Sequence, residues 1–110
     1  MTLLKAIVRP NKVDEIKEAL GKAGVAGMTL TEVRGHGKQK GHKALYRGKE
    51  YAVDLLPKMQ IEVVVDDSRA EDVARTIIQA GRTGEIGDGR VFLIPVAHSY
   101  KIRTGELDVV

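Results

Sequence analysis

The sequence predicts an α+β fold, in which a four-stranded antiparallel sheet carries two helices on one face. Three observations predict it. The hydrophobic patterns run strand, helix, strand, long gap, strand, helix, strand; the two halves are related by an internal repeat; and 110 residues fit one domain, residues 1–110.

The first half contains two strands and a helix. Residues 3–8 form an apolar run that ends at Pro10, which cannot donate to a ladder. Asn11 is a suitable N-cap for a helix whose apolar residues recur at three or four positions until Gly24. The apolar and polar alternation of residues 28–33 predicts a strand with one face toward the core.

The second half repeats this order. Residues 58–65 form a strand. Asp66, Asp67 and Ser68 then open a helix that ends at Gly81, and Ser68 and Glu71 have the spacing of a capping box. Residues 91–96 form the last strand, and Pro95 within it predicts an edge position or a bulge.

The repeat aligns residues 5–24 with residues 62–81, and both segments end in Ala-Gly. Two strand–helix–strand units predict the ferredoxin-like βαββαβ arrangement. One sheet face is then uncovered although it carries apolar residues, so we expect a homo-oligomer to bury it.

The long gap, about residues 37–57, is charged and rich in glycine, which predicts a structureless mobile arm. Residues 34–51 hold six basic residues and one acid, whereas the rest of the chain holds twelve bases and fourteen acids. The basicity of the chain therefore belongs to this arm.

Two glycine-rich segments suggest anion binding. Residues 35–41 combine three glycines with Lys38 and Lys40, and residues 83–90 combine three glycines with Arg90. Such loops can direct backbone N–H groups at phosphate oxygens. Taken alone, the first segment could be just a flexible basic loop and the second just a glycine-rich turn. Taken together, the two segments suggest a polyphosphate ligand such as a nucleotide, with Lys101 and Arg103 as further contacts.

No catalytic set accompanies these loops. The chain has no cysteine, which excludes disulfides, thiolate metal sites and a cysteine nucleophile. His36, His42 and His98 lack metal-site spacing, and Ser68 and Ser99 have no evident base. We expect a binding protein rather than an enzyme. Because no segment is typical of a signal peptide or a membrane span, we expect it in the cytoplasm.

Three segments closely resemble motifs of the PII nitrogen-regulatory signal-transduction proteins: residues 46–51 (YRGKEY), 83–89 (TGEIGDG) and 102–106 (IRTGE). The resemblance runs in register from Lys5 to Glu106. It implies a homotrimer that binds ATP or ADP in the clefts between subunits, with 2-oxoglutarate beside Mg²⁺ and ATP.

The resemblance also implies site residues. The nucleotide-binding positions are Ile7, Thr29, Gly35, Gly37, Lys38, Gln39, Glu62, Val64, Gly87, Asp88, Gly89, Arg90, Lys101 and Arg103. The 2-oxoglutarate positions are Gly37, Lys38, Gln39, Lys40, Gly41 and Lys58, and Gln39 is also the metal position.

The arm matches the T-loop of that family, about residues 37–57, with a nucleotide-binding loop at 82–90 and a C-terminal segment at 98–110. This implies an ammonium transporter and nitrogen-metabolism enzymes or kinases as partners, and contact with a membrane only through a transporter. The partner-binding positions are Tyr46, Arg47, Gly48, Lys49, Glu50 and Tyr51. Tyr51 matches a tyrosine modified in many members by a uridylyltransferase.

The chain departs from the usual family pattern at several positions: His36, Lys43, Lys49, Arg90 and Lys101. The nearest alternative is a paralogue that regulates carbon or bicarbonate transport, and Gln39, Lys58 and Tyr51 favour the nitrogen-regulatory type. A nucleic-acid module of the same fold is disfavoured because residues 3–8 and 58–65 carry no aromatic side chain for base stacking. An enzyme that slowly hydrolyses nucleotides is disfavoured because the sequence offers no evident general base. The trimeric metal-tolerance proteins have a similar fold, but they lack these glycine-rich loops.

Overall fold

The computed structural model describes residues 1–35 and 55–107, together with the backbone of two short strands at 43–46 and 49–52. The elements are β1 (Thr2–Val8), α1 (Val13–Lys22), β2 (Thr29–Gly35), β3 (Lys43–Tyr46), β4 (Lys49–Ala52), β5 (Leu56–Val65), α2 (Asp67–Gly81) and β6 (Gly89–Pro95).

Four of the strands form one antiparallel sheet in the order β2-β5-β1-β6. Lys5 of β1 lies opposite Glu62 of β5 and Phe92 of β6, which fixes the register of the two central strands and one edge. The predicted ferredoxin-like βαββαβ arrangement is confirmed. Pro95 lies at the end of the edge strand β6, as its ring requires.

The core lies between this sheet and the two helices. Alternate residues of β1 and β5 are buried, because successive side chains of a strand point to opposite faces. The helices add side chains at helical spacing. The buried apolar residues are Leu4, Ala6, Val8, Ile16, Leu20, Val25, Ile61, Val63, Val65, Ala70, Val73, Ala74 and Ile77.

Both predicted helices exist, and α2 begins at the predicted acidic pair of Asp66 and Asp67, but Asn11 and Ser68 are not the caps. Asn11 lies inside a 3-10 turn (Pro10–Lys12), so α1 begins only at Val13 and has no side-chain cap. Ser68 lies inside the first turn of α2, which begins at Asp67, so it cannot serve as the cap. The predicted ends are confirmed: Gly24 follows α1 with a φ of 84°, and Gly81 is the last residue of α2.

The prediction of a structureless arm is also wrong in part, because β3 and β4 pair as a two-stranded antiparallel sheet. Tyr46 lies opposite Lys49, so only Arg47 and Gly48 separate the strands, and a short glycine-containing connection is typical of a hairpin. β5 also begins at Leu56, inside the segment predicted as loop.

The sheet face away from the helices carries both apolar and charged residues. Val64 is 39% exposed and Phe92 is 44% exposed, which confirms the prediction of an apolar but uncovered face. Lys5, Glu62 and Arg90 share that face by register. No helix within the described residues is long and apolar enough to cross a membrane.

Two neighbouring residues of α2 provide a matched test of this packing. Ile77 is 2% exposed and Ile78 is 46% exposed. We expect Ile77→Ala to lower the free energy of unfolding by about 2–5 kcal/mol, because it leaves a cavity in the core. Ile78→Ala, the same change one residue later, should cost less than about 1.5 kcal/mol. Urea unfolding of both variants measures the difference, and equal losses would contradict the assignment of the helix faces.

Candidate functional site

The loop between α2 and β6 is organised around one carboxylate, that of Asp88. Its Oδ1 accepts hydrogen bonds from Arg9 Nε at 2.9 Å and from the Thr83 hydroxyl at 2.6 Å. Its Oδ2 accepts from the backbone N–H groups of Thr83 and Gly84, both at 2.8 Å. Four donors thus surround a single side chain, which fixes the loop to the end of β1.

These donors decide the charge of Asp88. Burial by itself would raise the pKa of the Asp88 carboxyl, but the hydrogen bonds from Thr83, Arg9 and Gly84 outweigh it. The pKa therefore lies well below its ordinary value of 3.8. Asp88 is ionised at every pH at which the protein is expected to work.

Glycine is required where this loop joins β6. Gly89 has a φ of 99°, in the region that side chains rarely adopt. A Cβ at Gly89 would lie 1.7 Å from the Ile7 carbonyl oxygen, which is a backbone atom that cannot rotate away. Gly87, two residues earlier, also has a positive φ, 103°. Glycine at both positions lets the loop backbone run close to the central strand β1.

Lys58 connects the two glycine-rich segments that the sequence singled out. Its ammonium donates to the Gly87 carbonyl at 2.6 Å, and the residue is only 9% exposed. A Cβ on Gly35, the first residue of the other segment, would lie 3.3 Å from Lys58 Cγ. Burial lowers the pKa of Lys58, as does the charge of Arg9, whereas Asp88 raises it.

The remaining predicted positions on the sheet share its open face. Thr29 of β2 is opposite Glu62 of β5, and both line a cavity of about 510 Å³ together with Val64. Ile7 instead lies opposite Arg90, next to the loop. β2 and β6 are opposite edges of the sheet, about 14 Å apart at the usual strand spacing. Glu62 and Ile7 belong to the two central strands between these edges, so the predicted residues form a band across the sheet from Thr29 to Arg90.

The C-terminal segment forms an exposed turn. The N–H of Gly105 donates to the Lys101 carbonyl at 2.7 Å, and the N–H of Lys101 donates to the Glu106 carbonyl at 2.9 Å. Lys101 and Arg103 are both exposed. Ile102 between them is fully exposed, which is unusual for an apolar side chain that has no neighbour to contact.

Several predicted positions lie outside the described residues. These are Gly37, Lys38, Gln39, Lys40 and Gly41 at the ligand loop, and Arg47 and Gly48 at the partner surface. The backbones of Tyr46, Lys49, Glu50 and Tyr51 belong to β3 and β4, and their side chains are outside the description as well. Within residues 1–35 and 55–107, no group of three His, Cys, Asp or Glu side chains is placed to hold a metal.

Sequence reasoning did not identify Arg9, which follows β1, or Thr83 in the loop as residues of this site. Arg9 lies beside Asp88 although the two are 79 positions apart in the chain. Thr83 was part of a quoted motif but received no role. No local signal could have paired Arg9 with Asp88, because their approach depends on the register between β1 and β6.

Comparison with known proteins shows the family of this chain. The family model "Nitrogen regulatory protein P-II" matches residues 1–106, which include both the Lys58 strand and the Asp88 loop. The chain belongs to the P-II family. The nitrogen regulatory protein P-II of Azospirillum brasilense is 54% identical over 106 residues, covering 96% of this chain and 95% of that protein. Nitrogen regulatory protein P-II 1 of Escherichia coli (strain K12) is 52% identical over 108 residues, covering 98% and 96%.

P-II membership confirms the resemblance drawn from the sequence and shows a nitrogen regulatory signal protein. The P-II family consists of regulatory proteins rather than enzymes, and its members bind effectors and act on targets in nitrogen metabolism. The match spans nearly the whole chain, so it covers the loop, the sheet and the arm together.

A pair of glycine substitutions tests the close approach at β6. We expect Gly89→Ala to disrupt the loop and to lower the free energy of unfolding by more than about 2 kcal/mol, because the new methyl group meets a backbone oxygen. Gly21→Ala, the same change inside α1 with open space around it, should stabilise the protein by up to about 1 kcal/mol. Thermal unfolding of both variants shows whether each change raises or lowers the stability. A Gly89→Ala protein as stable as wild type would refute the close approach of Gly89 to the Ile7 carbonyl.

Proposed function

We propose that this P-II protein senses ATP or ADP together with 2-oxoglutarate, and that it controls ammonium transport and nitrogen-assimilation proteins through its T-loop. One observation carries the proposal: the buried Lys58 ammonium donates to the Gly87 carbonyl of the Asp88 loop, while the Lys58 stem lies beside Gly35, the first residue of the 35–41 segment. A cation held at the Asp88 loop, on a side chain next to the second glycine-rich segment, could serve both a phosphate site and a carboxylate site.

The phosphate groups of the nucleotide would lie against the Asp88 loop. Because the Asp88 carboxylate is occupied by four donors of its own chain, phosphate would instead be bound by backbone N–H groups of Gly87, Asp88 and Gly89 and by the Arg90 guanidinium. Lys101 and Arg103 would add positive charge from the exposed C-terminal turn. Gly35, Gly37, Lys38 and Gln39 would complete the phosphate site, and Gln39 would be the side chain nearest to Mg²⁺.

The carboxylate of 2-oxoglutarate would take the Lys58 ammonium as its partner. An ammonium has three donors, and the Gly87 carbonyl uses one of them. A carboxylate that reaches the remaining donors forms a charge-assisted hydrogen bond away from bulk water, where such bonds are strong. The backbone of residues 37–41 would enclose the rest of the ligand, with Lys38 and Lys40 beside it.

A second copy of the chain would complete each nucleotide site. Thr29 and Arg90 lie on opposite edges of the sheet, about 14 Å apart at the usual strand spacing, with Glu62 and Ile7 on the two strands between them. We propose a homotrimer in which the edge cavity of one subunit faces the phosphate loop of its neighbour. The exposed Val64 and Phe92 on the open sheet face are consistent with such packing.

The rest of the proposal concerns the whole chain. Residues 1–110 would form one P-II domain without catalytic residues, in the cytoplasm, with the T-loop at about residues 37–57, the phosphate loop at 82–90 and a C-terminal segment at 98–110. The partner surface would be the hairpin tip, Tyr46 to Tyr51. A uridylyl group on Tyr51 would add bulk and negative charge to a basic surface, which changes partner binding.

Titration calorimetry tests the ligands. The full-length protein should bind ATP with Mg²⁺, and 2-oxoglutarate should bind more tightly once both are present. Lys58→Met keeps the apolar stem under Gly35 but removes the ammonium, so we expect the affinity for 2-oxoglutarate to fall by about tenfold or more. The affinity for ATP should change less than the affinity for 2-oxoglutarate.

The matched control is Lys22→Met, which removes an exposed ammonium paired with Glu18 at the end of α1 and should change neither affinity. Sedimentation of the same samples should give the mass of three chains. Absence of any heat with ATP at micromolar protein would contradict the proposed function, as would a monomeric mass.

Labelling with a uridylyltransferase and UTP tests the proposed modification. Wild-type protein should accept the label, and Tyr51→Phe should abolish it, because the acceptor hydroxyl is gone. Tyr46→Phe, the matched change on the neighbouring strand of the hairpin, should still be labelled. Labelling of Tyr51→Phe would place the modified residue elsewhere.

A further inference from the structure

Arg9 holds the Asp88 loop at two points. Its Nε donates to Asp88 Oδ1 at 2.9 Å, and its terminal Nη2 donates to the Ile86 carbonyl at 3.0 Å. Arg9 follows the last residue of β1, so both bonds tie the loop to a central strand of the sheet. Arg9 and Asp88 are each about three-quarters buried at their side chains, where water competes less for these hydrogen bonds.

We infer that Arg9 and Asp88 are positioning residues for the phosphate ligand, and that the Asp88 carboxylate shapes the loop without contacting the ligand. The inference rests on the proposed function and deepens it. The carboxylate draws Thr83 and Gly84 N–H groups inward on one side, and Arg9 draws the Ile86 carbonyl inward on the other. Both keep the backbone that follows, Gly87 to Arg90, in place before any ligand arrives, which lowers the entropic cost of binding.

The planar fork of arginine explains why this position suits Arg9. One guanidinium reaches a carboxylate with Nε and a backbone carbonyl with Nη2, in a fixed mutual orientation. A lysine ammonium is a single point on a flexible stem, so it can hold one of these acceptors well but not both in the same arrangement.

An effect of the Asp88 charge and an effect of Asp88 on loop position predict opposite changes in ligand affinity when the carboxylate is removed, and this makes the inference testable. Asp88 is an anion close to the proposed phosphate site, and its charge acts on Lys58 in the direction of raising the pKa. Removing an anion from a polyphosphate site should tighten binding if Coulomb forces dominate. If the carboxylate acts by holding the loop, the same removal should weaken binding.

The experiment compares Arg9→Gln, Asp88→Ala and the double variant with wild-type protein, using the full chain and ATP with Mg²⁺ as the probe. We expect each single variant to lose about tenfold in ATP affinity and the double variant to lose no more than that, because both changes release the same loop. Arg9→Lys should recover only part of the loss. The control is Lys12→Gln, a cation paired with Glu15 on the surface, which should bind as wild type does.

Amide hydrogen exchange of the ligand-free proteins gives a second readout. The N–H groups of Thr83 and Gly84, which donate to Asp88, should exchange faster in the three variants to a similar extent, while those of the core strand β5 should keep their protection. Thr83→Val removes the hydroxyl, which donates to Asp88 and accepts from the Glu85 N–H, and provides a milder variant if Arg9→Gln does not fold.

The inference is overturned if Asp88→Ala tightens ATP binding, if the two single losses multiply in the double variant, or if the exchange of Thr83 and Gly84 is unchanged. The proposed function fails separately, by absence of ATP binding to wild-type protein. In that case, the exchange data on ligand-free protein still decide whether Arg9 and Asp88 hold the loop.

Discussion

The ion pair between Arg9 and Asp88 is the interaction on which the candidate site depends. It joins the end of the central strand β1 to a loop that follows α2, 79 positions along the chain. The same carboxylate closes the loop on itself through Thr83 and Gly84. Lys58 then donates to the Gly87 carbonyl, so the adjacent strand β5 is tied to the same loop. The shape of the proposed phosphate site is thus set by the two central strands of the sheet.

The two faces of that sheet have different tasks. One face buries a continuous apolar core against α1 and α2, which stabilises the subunit. The other face places apolar side chains such as Phe92 beside charged ones such as Lys5, so it is suited to a partner that also offers polar groups. In the proposed homotrimer, the cavity at Thr29 on one edge of a subunit would face the phosphate loop of its neighbour, next to the opposite edge of the neighbour's sheet.

Features that depend on residues close together in the chain were predicted well from the sequence, and features that depend on distant residues were not. Strands with strong periodicity were predicted to within two residues at each end, since burial patterns of period two are local properties. The start of α1 was wrong because a proline at position 10 imposed a 3-10 turn that displaced Asn11 from the cap. The hairpin was missed because a charged, glycine-rich composition hides strand pairing that needs only a short connection between Tyr46 and Lys49.

The sequence by itself determined the fold class, the basic arm and the family, because each rests on residue types in a fixed order. It also named Asp88, Gly89 and Lys58 as site residues, since they stand within recognisable motifs. Only the tertiary structure decided what Asp88 does, by surrounding its carboxylate with Arg9 and loop donors. It also decided that Gly89 must lack a side chain, because the Ile7 carbonyl lies where a Cβ would be. Both facts depend on the register between β1 and β6, which no single segment of the chain contains.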